Sequence, residues 1–122
     1  QALEGYEGAV AIMSFNPTSV KAMANLAPQI ARGLATDAFK ANEWPKVKGQ
    51  RLQQLRRLGN YEAIQASFIS HDYRDLASYR LAGIKASGDP ILCWTVTNHE
   101  DEKTARVIAD NITFETYLPD LP

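Results

Sequence analysis

Five short apolar runs, each separated from the next by a stretch of helical character, constrain this chain more than any other feature. The runs are 10–15 (VAIMSF), 30–36 (IARGLAT), 66–71 (ASFISH), 91–96 (ILCWTV) and 111–115 (NITFE). Their starts lie 20, 36, 25 and 20 residues apart, room each time for one strand, loop, helix and loop. Strands that alternate with helices build βαβ units and a parallel sheet, so the predicted class is α/β. At 122 residues the prior is a single domain, 1–122.

Local signals place the connecting elements. Asn16-Pro17 leads into a helix from about Thr18 to Leu26, with Val20, Met23, Ala24 and Ala27 on one face and Thr18 or Ser19 as N-cap. Gly33 marks a bend or a close backbone approach. A polar connection containing Trp44-Pro45 runs into a helix over 45–58, ended by Gly59-Asn60. Asp72 or Asp75 caps a helix reaching Ala86, and Ser87-Gly88 stops it. Asn98 and the acidic residues after it open a helix to Ala109, with carboxylates where the helix dipole favours them. Within 91–96, period two sets Leu92, Trp94 and Val96 on one face and Ile91, Cys93 and Thr95 on the other. Two architectures accommodate five such units. An open flavodoxin-like sheet would be complete at this length, whereas a (β/α)8 TIM barrel needs roughly 250 residues and would take these as five of its strands. Both put functional groups at the C-terminal ends of the strands.

Composition narrows the partners. Thirteen basic and fourteen acidic side chains leave a net charge of −1 with no charged half, which points to neither nucleic acid nor an anionic membrane surface. The densest basic stretch, Lys46 to Arg57, reads as a solvated helix face. No apolar stretch approaches the roughly 20 residues that span a bilayer, and no signal peptide is seen, so the expected compartment is the cytoplasm. The single Cys93, inside an apolar strand, excludes an intrachain disulfide and reads as a small buried hydrophobe.

The strand ends carry Ser14, Phe15 and Asn16; Thr36 and Asp37; Ser70, His71 and Asp72; Thr95, Thr97 and Asn98; and Glu115 with Tyr117. These are hydroxyls, amides and one histidine, without a convergent carboxylate cluster or a base paired to a nucleophile. HxxxH, CxxC, GxSxG and GxxxxGK[ST] are absent, which removes the common hydrolase-triad and P-loop signatures. A receiver domain would want an acidic pair after its first strand, and a flavin-phosphate loop a Gly/Thr/Ser-rich turn; the chain offers Ser14-Phe15-Asn16 and Asn-Pro-Thr. Trp94 reads either as core or as a pocket wall. His71 reads as a loop residue or a catalyst, His99 as the polar start of a helix, and Glu115 as an active carboxylate or a solvated strand end.

Four stretches together resemble a known family. AVAIMSFNP with ARGL, ILCWTVTN, and ADNITFETYLPDL are similar to the C-terminal half of glycerophosphodiester phosphodiesterases. Those are metal-dependent (β/α)8-barrel hydrolases that split glycerophosphodiesters into sn-glycerol 3-phosphate and an alcohol. The resemblance spans essentially the whole chain in order. It departs at Asn16, where the family usually has Asp, at the extra Thr97 between Trp-Thr-Val and Asn, and at Phe114-Glu115 in place of Thr-Asp.

The resemblance implies that the chain is the C-terminal portion of a larger barrel, beginning after its third strand. The family's catalytic motifs, His-Arg-Gly, Glu-x-Asp with a second histidine, and a further Glu, have no counterpart here. The expectation is therefore no catalytic residue and no metal ligand in this chain, with Mg²⁺ or Ca²⁺ held elsewhere in the parent enzyme. Phe15 and Trp94 would form an apolar pocket wall, Ser14 would add a hydroxyl, and His71 and Glu115 would stand at the rim. A partial barrel exposes two sheet edges and much of its interior. The expected partners are the missing N-terminal half, or a second copy of the chain, and a small glycerophosphodiester. Alone, the chain would be inactive; the other reading is a non-catalytic half-barrel that binds a partner.

Overall fold

A computed structural model describes residues 3–58 and 61–120 of the chain. The elements are β1 (Ala11–Ser14), α1 (Pro17–Leu26), β2 (Ala31–Thr36), α2 (Gly49–Arg56), β3 (Phe68–Asp72), a 3-10 turn (Tyr73–Asp75), α3 (Tyr79–Ala86), β4 (Ile91–Val96), α4 (His99–Ala105) and β5 (Asn111–Phe114). All five strands predicted from the apolar runs are present.

The strands lie side by side in the order β1-β2-β3-β4-β5, and every neighbouring pair is parallel. That order decides between the two predicted architectures. A doubly wound sheet reverses direction, so that later strands add on the other side of the first. Here each βα unit adds to the same side, as in an arc of a (β/α)8 barrel, with β1 and β5 as its open edges. The flavodoxin-like alternative is set aside.

Helix boundaries differ from expectation where capping chemistry intervenes. Asn16 caps α1 in place of Thr18 or Ser19: its carboxamide oxygen accepts the N–H of Thr18 at 3.0 Å. Pro17 then fills the first helical position, where its missing N–H leaves nothing unpaired. The turns through Trp44–Val47 delay α2 to Gly49, and the predicted Gly59-Asn60 stop lies outside the described residues. The helix expected from Asp72 or Asp75 forms in two pieces. Asp72 caps the 3-10 turn through the N–H of Arg74, and Ser78, at ψ 131°, interrupts the chain before α3. Asn98 caps α4 as predicted, accepting from Asp101 N–H at 2.9 Å.

One face of the sheet packs on the helices. Leu34, Ile69, Ile91, Cys93 and Val96 meet Val20, Leu81, Ile84 and Ala105 there in one buried cluster. The opposite face carries the alternate residues Met13, Gly33, Phe68, Ser70, Asp72, Leu92 and Trp94. Gly33 is required on that face, because any Cβ would overlap the ring of Phe68.

The predicted faces of β4 hold up to Trp94 and then change. Cys93 pairs with Ile112 and Val96 with Phe114, so three steps on β4 match two on β5. This bulge, which contains a cis Trp94–Thr95 peptide bond, returns Val96 to the helix side with Ile91 and Cys93. Cys93 is fully buried, and burial pushes its thiol up to about 11. The folded chain is therefore expected to leave an aromatic disulfide reagent unreacted at pH 8 and to consume one equivalent after unfolding, read by absorbance. Among the described residues no helix is long and apolar enough to cross a membrane.

Candidate functional site at the strand ends

Strand parity determines what reaches the mouth, the C-terminal rim of the open sheet face. In β3, Ile69 belongs to the helix-side core, so His71, two residues on, lies on that same side. Ser70 and Asp72 lie on the open face, and Asp72 is the register partner of Trp94.

An aromatic ledge crosses the mouth. The rings of Phe15 and Trp94 meet edge to face at 5.4 Å between centroids, and Phe15 also meets Trp44 at 5.7 Å. Trp44 packs in turn on Phe39 at 5.3 Å. Each indole is held by its N–H. Trp94 Nε1 donates to the carbonyl of Ser70 at 3.1 Å, and Trp44 Nε1 donates to both carboxylate oxygens of Asp37 at 3.2 and 3.0 Å. With their polar handles engaged, the two indoles have only apolar surface left to offer. Phe39 anchors the ledge from a buried, left-handed position at φ 47°. Asp37 accepts its N–H and Arg56 Nε donates to its carbonyl, so both backbone groups of this strained residue are fixed.

Sequence reasoning read Trp44 only as part of a polar connection. The signal was available: an aspartate just past β2 and a tryptophan seven residues later, in a loop long enough to fold back. Arg74 was likewise passed over, and Asp72 was read only as a strand-end residue and a helix cap. Asp72 accepts from Arg74 Nε at 3.0 and 3.1 Å and from Nη2 at 2.6 Å. Burial opposes ionisation of Asp72, but the hydrogen bonds and charge of Arg74 outweigh it and hold the carboxyl below the usual range.

His71 is placed elsewhere. It is 1 % exposed, with Nδ1 2.6 Å from Thr36 Oγ1 and Nε2 3.0 Å from Asp75 Oδ2. A carboxylate only accepts, so Nε2 carries the proton and Nδ1 accepts from the Thr36 hydroxyl. Burial lowers the affinity of the ring for a second proton, outweighing the pull of Asp75. A neutral imidazole with both nitrogens engaged is a structural bridge between β2, β3 and the 3-10 turn. Ser14, register partner of Leu34, is also on the helix side, and its Oγ accepts the N–H of Asn16 at 3.0 Å. Glu115 is exposed just past β5, on the open side by parity with Ile112. The structure thus brings Phe15, Trp94 and Trp44 together at one rim, sets Glu115 on the open side past β5, and turns Ser14 and His71 to the helix side.

At the described strand ends the oxygens of Asp37 and Asp72 are engaged by Trp44, Phe39 and Arg74. Away from the ledge, His99, Glu102 and Asp120 bring one ligand atom each within 4.8 Å of one another, a cluster that includes a His-x-x-Glu spacing the sequence reading missed. Glu102 already accepts from Arg106 Nε at 2.8 Å, and that guanidinium supplies the positive charge a cation would.

No family model and no curated protein matches the chain. Solved structures do match its fold. One is an Oleispira antarctica phosphodiesterase in complex with the product sn-glycerol-3-phosphate, at 18 % identity and TM-score 0.63 over 92 % of this chain. Another is a protein assigned as a glycerophosphoryl diester phosphodiesterase from Silicibacter pomeroyi DSS-3, at 16 % identity and TM-score 0.61 over 85 % of this chain. The chain spans 41 % and 33 % of the length of these structures.

Proposed function

We propose that the chain is the C-terminal, pocket-forming part of a metal-dependent glycerophosphodiester phosphodiesterase. The complete barrel would hydrolyse glycerophosphodiesters to sn-glycerol 3-phosphate and an alcohol. The observation that carries this reading is the ledge of Phe15, Trp44 and Trp94 at the strand ends of a sequential parallel arc, where barrel enzymes bind their substrates. The resemblance of ILCWTVTN and its companion stretches, and the fold shared with phosphodiesterases, support it.

Within this reading the chain binds and shields rather than reacts. The ledge lies along the organic part of the diester and keeps bulk water from the phosphorus. Hydrolysis joins a water oxygen to phosphorus and breaks the bond to the leaving alcohol, which takes up a proton. Proton transfer needs an accessible base and acid, and His71, buried and doubly hydrogen-bonded, supplies neither. In this reading the acid–base histidines and the Mg²⁺ or Ca²⁺ site belong to the remainder of the barrel, which covers the open face and edges. The isolated chain is then inactive. Engagement of His71 also favours a second reading, a non-catalytic half-barrel that binds a small phosphate ligand or a second copy.

Trp94→Ala and Phe15→Ala, placed in the complete protein, test the assignment of the wall. Each is expected to raise KM for a glycerophosphodiester about tenfold, equivalent to about 1.4 kcal/mol of binding. Unchanged kinetics in both variants would remove the ledge from the substrate pocket.

A further inference from the structure

The mouth also presents a guanidinium that the pocket wall leaves unused. Asp72 ends β3 on the open face beside Trp94, and its side chain is 9 % exposed, whereas that of Arg74 is 64 % exposed. The carboxylate is therefore the inner partner and the guanidinium the outer one. The fork takes Nε and Nη2 of Arg74. A guanidinium has five N–H groups, so three remain after the fork is made. The backbone N–H of Arg74 also donates to Asp72, at 3.0 Å, which fixes the root of the side chain as well as its tip.

The two arms of the fork hold the planar guanidinium in one orientation. A second observation lies two residues earlier on the same face. Ser70 is fully buried, and its Oγ has no hydrogen-bond partner, while its carbonyl takes the indole N–H of Trp94. A buried hydroxyl without a partner is unfavourable, and a ligand oxygen reaching below the ledge would satisfy it.

We propose that Arg74, clamped by Asp72 beside Trp94, binds the phosphate group of a phosphate ester in this mouth, with the Ser70 hydroxyl as an additional donor. This deepens the reading above and rests on it for the identity of the ester. Planar N–H pairs suit phosphate oxygens, and Asp72 acts as the positioning residue that keeps them aimed.

Trp44 and Trp94 are the only tryptophans of the chain, and both lie on the ledge, so intrinsic fluorescence reports on this site without a label. The chain is titrated with sn-glycerol 3-phosphate, with inorganic phosphate and with glycerol at constant ionic strength. Saturable responses to both phosphate ligands and none to glycerol are expected. Arg74→Ala should weaken both at least tenfold, with Arg74→Lys intermediate because it keeps the charge and loses the fork. Circular dichroism of each variant verifies the fold. A wild-type chain without a saturable phosphate response, or an Arg74→Ala chain that binds as tightly as wild type, overturns the proposal. Failure of the proposed function is distinguishable. Arg74-dependent phosphate binding in a protein whose complete barrel cleaves no diester removes the enzyme and leaves this site. Turnover that Arg74→Ala leaves at an unchanged KM does the reverse.

Discussion

Ile69→Ala is expected to lower the free energy of unfolding by about 2–5 kcal/mol, the range for truncating a fully buried branched side chain in a core that collapses only partly. Ile69 is inaccessible to solvent at the centre of β3, between Leu34 and Ile91 in the register, and belongs to the cluster joining the sheet to Leu81 and Ile84. Its loss removes contacts from both layers at once. Phe114→Ala, on a side chain that is 43 % exposed at the open edge, serves as the contrast and should move stability by no more than about 0.5 kcal/mol. Urea unfolding measures both, and equal m-values would show that the unfolded reference is unchanged. Because period two links Ile69 to His71 and Ser70 to Asp72, the comparison also tests which side of β3 faces the mouth. A small effect of Ile69→Ala would contradict the assignment of faces.

The second large effect is acid-linked. The folded protein holds His71 neutral, with its proton affinity lowered by burial from the ordinary 6.5. Well above pH 6.5 neither state is protonated there, and stability carries no term from this residue. As the pH falls below 6.5, the unfolded chain takes up a proton that the native state refuses. Stability therefore falls with acidification until the native ring also titrates. The slope approaches 1.4 kcal/mol per pH unit for one proton. Asp72 and Glu102, both held below their ordinary range, stay ionised through this window and add nothing to it. His71→Leu should remove the slope between pH 6.5 and 5. At pH 7.5 it should cost about 1–3 kcal/mol, because the buried Thr36 hydroxyl loses its acceptor. Urea midpoints at pH 7.5, 6.5 and 5.5 measure both effects. The same slope in wild type and variant would place the proton uptake at another group.

Much of the architecture was legible in the alternation of apolar runs, since a short β-branched run between helical stretches has few alternatives. Sequential strand order is not encoded in that periodicity; it was expected from the resemblance to a (β/α)8 family, and the observed order agrees. The site was read less well, for identifiable reasons. His71 was placed at the rim by its position at a strand end, yet parity with Ile69 turns it to the helix side and sets Ser70 and Asp72 on the opposite face instead. Val96 was set beside Trp94 by strict alternation, which one extra residue in β4 reverses. Trp44 came from a connection with no periodicity at all, and only its hydrogen bonds to Asp37 bring it to Phe15. Phe15 and Trp94 were visible because large aromatics at the ends of otherwise aliphatic strands stand out from the core pattern.

The most direct measurement is release of sn-glycerol 3-phosphate from a glycerophosphodiester by this chain and by the protein encoded by the whole gene, each with Mg²⁺ or Ca²⁺ and with chelator. The account predicts turnover by the complete protein that chelator abolishes, and none by the isolated chain under any condition. Turnover by the 122-residue chain alone would contradict the proposal that the acid–base groups and the metal site belong to the remainder of the barrel. A complete protein that folds and cleaves no diester would contradict the proposed function itself.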